Sequence, residues 1–91
     1  MSFYDINPEA PVHLLVVPKK HITDINQLND EDKDLLWEMF SVVKKVAKKL
    51  KIDKKGYRLI LNNGGDSGRL LDHLHLHVLG GRRLGPKLVR E

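Results

Sequence analysis

The sequence contains no cysteine in its 91 residues. That excludes disulfides, thiolate metal ligands and a thiol nucleophile together, and it suits a reducing compartment. Aromatic residues are scarce, with only Phe3, Tyr4, Trp37, Phe40 and Tyr57, too scattered to interleave with cations as a nucleic-acid surface does. No apolar run approaches the ~18 residues of a membrane-spanning helix, and the Met1-Ser2-Phe3-Tyr4-Asp5 start lacks the basic region and apolar stretch of a secretory leader. These absences leave a cytoplasmic protein as the expectation, with neither membrane nor nucleic acid as partner. The length predicts one domain over residues 1–91 with a modest core, for which pairing with a second copy is a natural way to bury more surface.

What the sequence does contain is an ordinary globular balance: 41% hydrophobic residues and 16 Lys+Arg against 12 Asp+Glu, a net charge of +4. The excess cations fall at Lys44, Lys45, Lys48, Lys49, Lys51, Lys54 and Lys55, and again at Arg82, Arg83, Lys87 and Arg90; they read as a solvated face. Val12 to Val17 is a mostly apolar run bounded by Pro11 and Pro18 and reads as a buried strand. Asp24 to Leu28 suits a short helical turn. From Glu31 to Leu50, Leu35, Leu36, Met39, Phe40, Val43, Val46, Ala47 and Leu50 recur at spacings of three and four, which predicts a helix with one apolar stripe. Asn29 or Asp30 suits its cap, Glu31 and Asp32 its positive end, the later lysines its negative end, and Gly56 its exit. Tyr57 to Asn62 reads as a second strand, followed by the turn-forming cluster Asn63-Gly64-Gly65-Asp66-Ser67-Gly68. Leu84 to Glu91 reads as an irregular tail.

Three of the five histidines stand at 73, 75 and 77, alternating with Leu74, Leu76 and Val78. On a strand this spacing projects the imidazoles to one face, ~6.6–6.8 Å apart, and the apolar residues to the other. A one-residue slip would bury three imidazoles, so the register is pinned and the row is expected to face a polar space, with Gly80-Gly81 ending the strand. Three chemistries suit such a row: satisfied structural histidines, a site for zinc, copper or nickel, or nucleophilic attack on phosphorus. The last uses an imidazole that is largely neutral near pH 7 and leaves readily from the phosphoramidate it forms, while neighbouring histidines donate hydrogen bonds or carry protons. The glycine cluster offers backbone N–H groups to a phosphate, as it equally offers a plain turn.

His73-Leu74-His75-Leu76-His77-Val78-Leu79 reproduces the His-φ-His-φ-His-φ-φ signature, φ being apolar, of the histidine triad (HIT) superfamily. With Pro11 to Ile22, Asn62-Asn63-Gly64-Gly65-Asp66 and Val78-Leu79-Gly80-Gly81-Arg82, the chain resembles the Hint branch, the histidine triad nucleotide-binding proteins, over Phe3 to Arg83. The resemblance implies an α+β fold, an antiparallel sheet with one long helix, paired as a homodimer through that helix and a sheet edge. It also implies a hydrolase of purine nucleoside phosphoramidates, releasing AMP or GMP, with no metal or other cofactor. By the same resemblance His75 is the nucleophile, His77 contacts phosphate and assists proton transfer, His73 orients His75 through its backbone carbonyl, and His13 stands near the triad. Asp5 is matched to the ribose, Ile6 to the base wall, and Asn62 to the phosphate side, with Ser67 and Gly68 in the adjoining loop.

The sequence departs from the family pattern in three places. It starts just before Phe3, where family members carry a helix and hairpin that complete the base pocket, so a shortened N-terminus with weakened nucleotide binding is expected. Leu70 stands where a phosphate-contacting serine is usual, and Leu84-Gly85-Pro86-Lys87 replaces the usual Trp-Pro-Pro-Gly ending. Two further readings stay open: a weakly active or inactive scaffold that binds nucleotide or protein, and a dinucleoside polyphosphate hydrolase.

Overall fold

The computed structural model describes residues 2–4, 10–69 and 72–85. Four strands, β1 (Ser2–Tyr4), β2 (Val12–Val16), β3 (Arg58–Ile60) and β4 (Leu76–Gly80), form one antiparallel sheet in the order β1-β2-β4-β3. One helix, α1 (Lys33–Lys49), runs between β2 and β3. The α+β class with one long helix and an antiparallel sheet therefore holds. No helix among the described residues is long and apolar enough to cross a membrane.

The strands divide into two faces by register. His13 lies opposite Leu79, Leu15 opposite His77, and Ile60 opposite His77, so these residues share one face. Val12, Leu14, Val16, Leu76 and Val78 share the other, and there the core forms: Leu14, Val16, Leu76 and Val78 join Leu74, Met39, Val43, Ala47, Ile52 and Ile22. Full burial of each such aliphatic side chain contributes roughly 1.5–3 kcal/mol relative to exposure, which makes this contact between helix and sheet the main source of cohesion.

Met39, Val43 and Ala47, one helical turn apart, are the buried line of α1, with Leu35, Leu36, Val46 and Leu50 partly buried beside them. Phe40, expected on the stripe, is 44% exposed. Periodicity gives the direction a side chain points but not how far the facing surface extends, and beyond the Met39–Ala47 line Phe40 stays largely uncovered among the described residues. Before α1 comes a 3-10 turn, Asp30–Asp32. Asn29 Oδ1 accepts from the Glu31 N–H at 2.9 Å while the Asp32 carboxylate accepts from the Asn29 N–H at 3.0 Å, a reciprocal cap. Asp32 is buried and also accepts from Lys20 Nζ at 3.0 Å. That lysine bond, with the Asn29 N–H, holds its carboxyl below the usual carboxylate range.

Other boundaries also depart from expectation. Lys51, not Gly56, closes the helix: at φ 60° it takes the left-handed position, its N–H donates to Lys48 O at 3.2 Å, and the Ile52 N–H donates to Ala47 O at 2.9 Å. Gly56 belongs to the next turn, its N–H bonded to Ile52 O. β3 is shorter than Tyr57–Asn62, and β4 begins only at Leu76, so His73 and His75 precede the sheet ladder. Gly80 is the last residue of β4 rather than beyond it; a Cβ there would meet Ile52 Cδ1 at 3.0 Å. The Asp24–Leu28 turn is a 3-10 turn at Ile25–Gln27.

Candidate active site

Of the four histidines singled out in the sequence, His13 and His77 lie on the sheet face away from α1, and the His73–His75 segment adjoins them. His77 projects from β4 and His13 from β2, with His13 Nε2 and His77 Nδ1 2.9 Å apart. Two ring nitrogens at that distance share one proton, because two facing N–H groups would repel. His75 and His77 meet edge to face with ring centroids 4.9 Å apart. His75 Nδ1 lies 2.7 Å from the His73 carbonyl oxygen. A carbonyl only accepts, so Nδ1 is the protonated nitrogen and, in the neutral ring, Nε2 carries the lone pair.

The histidine row is more enclosed than an open strand face. His75 is 4% exposed and His13 5%, so the central imidazole lies within the protein rather than facing open solvent, with His73 and His77 half-buried beside it. The reason is local: His75 precedes the ladder, and its ring folds back on the backbone of its own segment through the bond to His73 O. The alternation still holds for the apolar partners, since Leu74, Leu76 and Val78 are all buried.

His21 was not singled out from the sequence, yet its ring sits edge-on to His73 at a centroid distance of 4.9 Å. His73 Nε2 donates to the Pro18 carbonyl at 3.3 Å. The Pro18-Lys19-Lys20-His21 exit from β2 thus lies against the histidine segment, a long-range approach that no local periodicity reveals.

Asn62 is half-buried just after β3. The glycine cluster forms a 3-10 turn at Gly65–Ser67, with Gly64 at φ 82° and Gly68 at φ 81°; both positive values favour glycine. Gly68 thereby adopts the left-handed turn its sequence context suggests. Ser67 Oγ donates to Gly64 O at 2.6 Å, so in this conformation its only proton is committed inside the loop and it cannot replace the serine absent at position 70. Asp5, Ile6 and Leu70 lie outside the described residues.

A cavity of about 210 Å³ lies between the end of β2 and α1, lined in part by Pro18, Lys20, Leu35 and Met39. It is on the helix side of the sheet and contains none of the histidines. Among the described residues, no group of three or more His, Cys, Asp or Glu side chains is arranged to hold a metal ion.

The chain and its fold are similar to those of known proteins. The purine nucleoside phosphoramidase of Escherichia coli (strain K12) is 40% identical over 90 residues, which is 99% of this chain and 76% of that protein. An uncharacterized HIT-like protein of Buchnera aphidicola subsp. Baizongia pistaciae is 49% identical over 83 residues, 91% of this chain and 74% of that protein. Among solved structures, a HIT family hydrolase from Legionella pneumophila Philadelphia 1 superposes with a TM-score of 0.89 at 45% identity, over 93% of this chain and 76% of that one. A HIT family hydrolase from Clostridium thermocellum gives 0.91 at 44% identity, over 97% and 76%. The HIT domain family model matches residues 1–84, and the chain belongs to the HIT domain family.

Proposed function

We propose that this protein is a purine nucleotide-binding hydrolase that cleaves nucleoside phosphoramidates through a nucleotidylated His75. The observation that carries this reading is the 2.7 Å bond from His75 Nδ1–H to the His73 carbonyl, because it commits one nitrogen as donor and leaves the Nε2 lone pair for phosphorus. In the first step Nε2 attacks the α-phosphorus, the P–N bond breaks, and the departing amine takes a proton delivered by way of His77. The imidazole then carries the nucleotidyl group, with its positive charge eased by the His73 carbonyl. In the second step water attacks phosphorus, AMP or GMP leaves, the Nε2 lone pair is restored, and the water's proton returns through His77.

His13 Nε2, 2.9 Å from His77 Nδ1, shares a proton with that ring. Asn62 and the backbone of the glycine loop are assigned to the phosphate, Asp5 to the ribose hydroxyls and Ile6 to the base, while the Gly68 N–H, bonded to Gly65 O, shapes that loop. Ser67 serves the loop's shape while its hydroxyl remains bonded to Gly64 O. The phosphoramidase named among the relatives supports the substrate class.

Incubation with an adenosine phosphoramidate bearing a fluorescent amine tests the reading. Wild type is expected to release amine and His75→Ala to release none above background; equal rates would overturn the catalytic assignment. AMP binding by calorimetry with no amine release from wild type would replace the enzyme with a nucleotide-binding module.

We further propose a homodimer formed through the outer flank of α1 and the edge strand β3. Trp37 at 61% exposure and Phe40 at 44% lie three residues apart on that flank, and Leu59 on β3 is also exposed. The exposed pair Trp37 and Phe40 supports an interface on this flank. Light scattering is expected to give twice the chain mass, and Phe40→Glu to shift it towards monomer.

A further inference from the structure

β4 pairs only from Leu76 onwards, so the sheet ladder does not position His73, Leu74 and His75. The segment leaving β2 does. The Leu74 N–H donates to Ile22 O at 2.6 Å, and His73 Nε2 donates to Pro18 O at 3.3 Å. This segment is itself stiffened: the Thr23 N–H donates to Gln27 Oε1 at 2.8 Å, and Asp24 caps the following turn by accepting from the Asn26 N–H at 2.9 Å.

The glycine loop hangs from the same segment by both ends. Asn63 Oδ1 accepts from the Ile25 N–H at 2.7 Å, and Arg69 Nη1 donates to the Thr23 carbonyl. Within the loop, the Ser67 N–H and hydroxyl both donate to Gly64 O and the Gly68 N–H donates to Gly65 O. Those bonds shape the loop but do not attach it to the body of the protein. The Arg69 side chain is 9% exposed, whereas its ion-pair partner Asp72 is 95% exposed with an Nη2–Oδ1 separation of 3.3 Å. An ion pair with one partner in open water contributes little, and a guanidinium withdrawn from water must be satisfied by hydrogen bonds. The consequential bond is therefore the one to Thr23.

We propose that Arg69 is a positioning residue that sets the distance between the glycine loop and the His73–His75 segment by anchoring the loop to Thr23, and so sets where the substrate phosphate rests relative to His75. The inference rests on the loop's role as phosphate cradle given above. Orientation at the reacting atoms is steep, with a displacement of about 1 Å costing on the order of 100-fold in rate, so a single anchor has a measurable effect.

Two readouts test the proposal. In phosphoramidate hydrolysis, Arg69→Ala is expected to raise KM about tenfold and weaken AMP binding in calorimetry by a similar factor, with Arg69→Lys, which can still donate to Thr23 O, within about threefold of wild type and Asp72→Asn unchanged. A purely structural role would lower the active fraction, hence kcat, and leave KM alone. In amide exchange of the unliganded protein, Ser67 and Gly68 are expected to exchange faster in Arg69→Ala while α1 is unaffected. Should Arg69→Ala fail to fold, Arg69→Gln carries the same comparison. Unchanged loop exchange with KM within twofold, or an Asp72→Asn defect equal to that of Arg69→Ala, would overturn the proposal. Wild type that neither binds AMP nor releases amine would instead sink the proposed function, with the exchange measurement still deciding whether Arg69 anchors the loop.

Discussion

The two faces of the sheet are built by different physics. The face towards α1 is held by area: Leu14, Val16, Leu76 and Val78 pack against Met39, Val43 and Ala47, and neighbouring aliphatic residues of similar volume would serve nearly as well. The opposite face is held by direction. His75 Nδ1 must meet His73 O, and His13 Nε2 must meet His77 Nδ1, contacts that tolerate neither another atom type nor a shift of an ångström. One strand, β4, carries both, because a period of two lets Val78 serve the first face and His77 the second. Core packing and the histidine contacts are thereby separated by side-chain parity on a single segment.

That separation can be broken experimentally. The largest effect is expected at His75→Asn, whose amide N–H₂ can still donate to His73 O but offers no nucleophile: phosphoramidate turnover should fall by about 10³ or more, with a thermal midpoint close to wild type. A midpoint drop as large as that of a core variant would show that the imidazole face is structural after all. On the other face, Leu76→Ala should cost about 2–5 kcal/mol in denaturant unfolding and leave KM of the remaining folded enzyme unchanged. Away from both faces, Asn29→Ala removes one half of the reciprocal cap and should cost about 1 kcal/mol, read in the same titration.

The smallest effect concerns pH. The Asp32 carboxyl is held below its ordinary value of 3.8 by Lys20 and the Asn29 N–H. A group lowered in the folded state contributes stability that is complete above the unfolded value and is lost as pH falls through the folded one. As pH falls through 3.8 and below, wild type should therefore lose more stability than Asp32→Asn. Parallel pH curves for the two proteins would contradict this assignment.

Much of this arrangement was legible in the residues. The Leu35–Leu50 spacing announced α1, the run before Pro18 announced β2, and the alternation from His73 announced which residues share an apolar face, because each signal is local and periodic. The family signature added the roles, which periodicity cannot supply. What stayed hidden depends on contacts between segments distant in sequence. Nothing near His21 says that it will lie edge-on to His73, 52 positions away, and nothing near Arg69 names Thr23, 46 residues back, as its partner. Gly56 is the expected helix terminator because glycine adopts positive φ without strain, yet Lys51, two residues after the last residue of α1, takes that position, and Ile52 follows it into the core. The burial of His75 was likewise unreadable, since it depends on its ring turning back onto its own segment.

The lysine that closes α1 leaves an unclaimed margin in this small protein. A residue with a Cβ pays roughly 1–2 kcal/mol to sit in the left-handed region, and Lys51 is exposed and outside the residues proposed for the site. Lys51→Gly would relieve that penalty without touching the chemistry, making this single position the natural first choice for a hardier form of the protein.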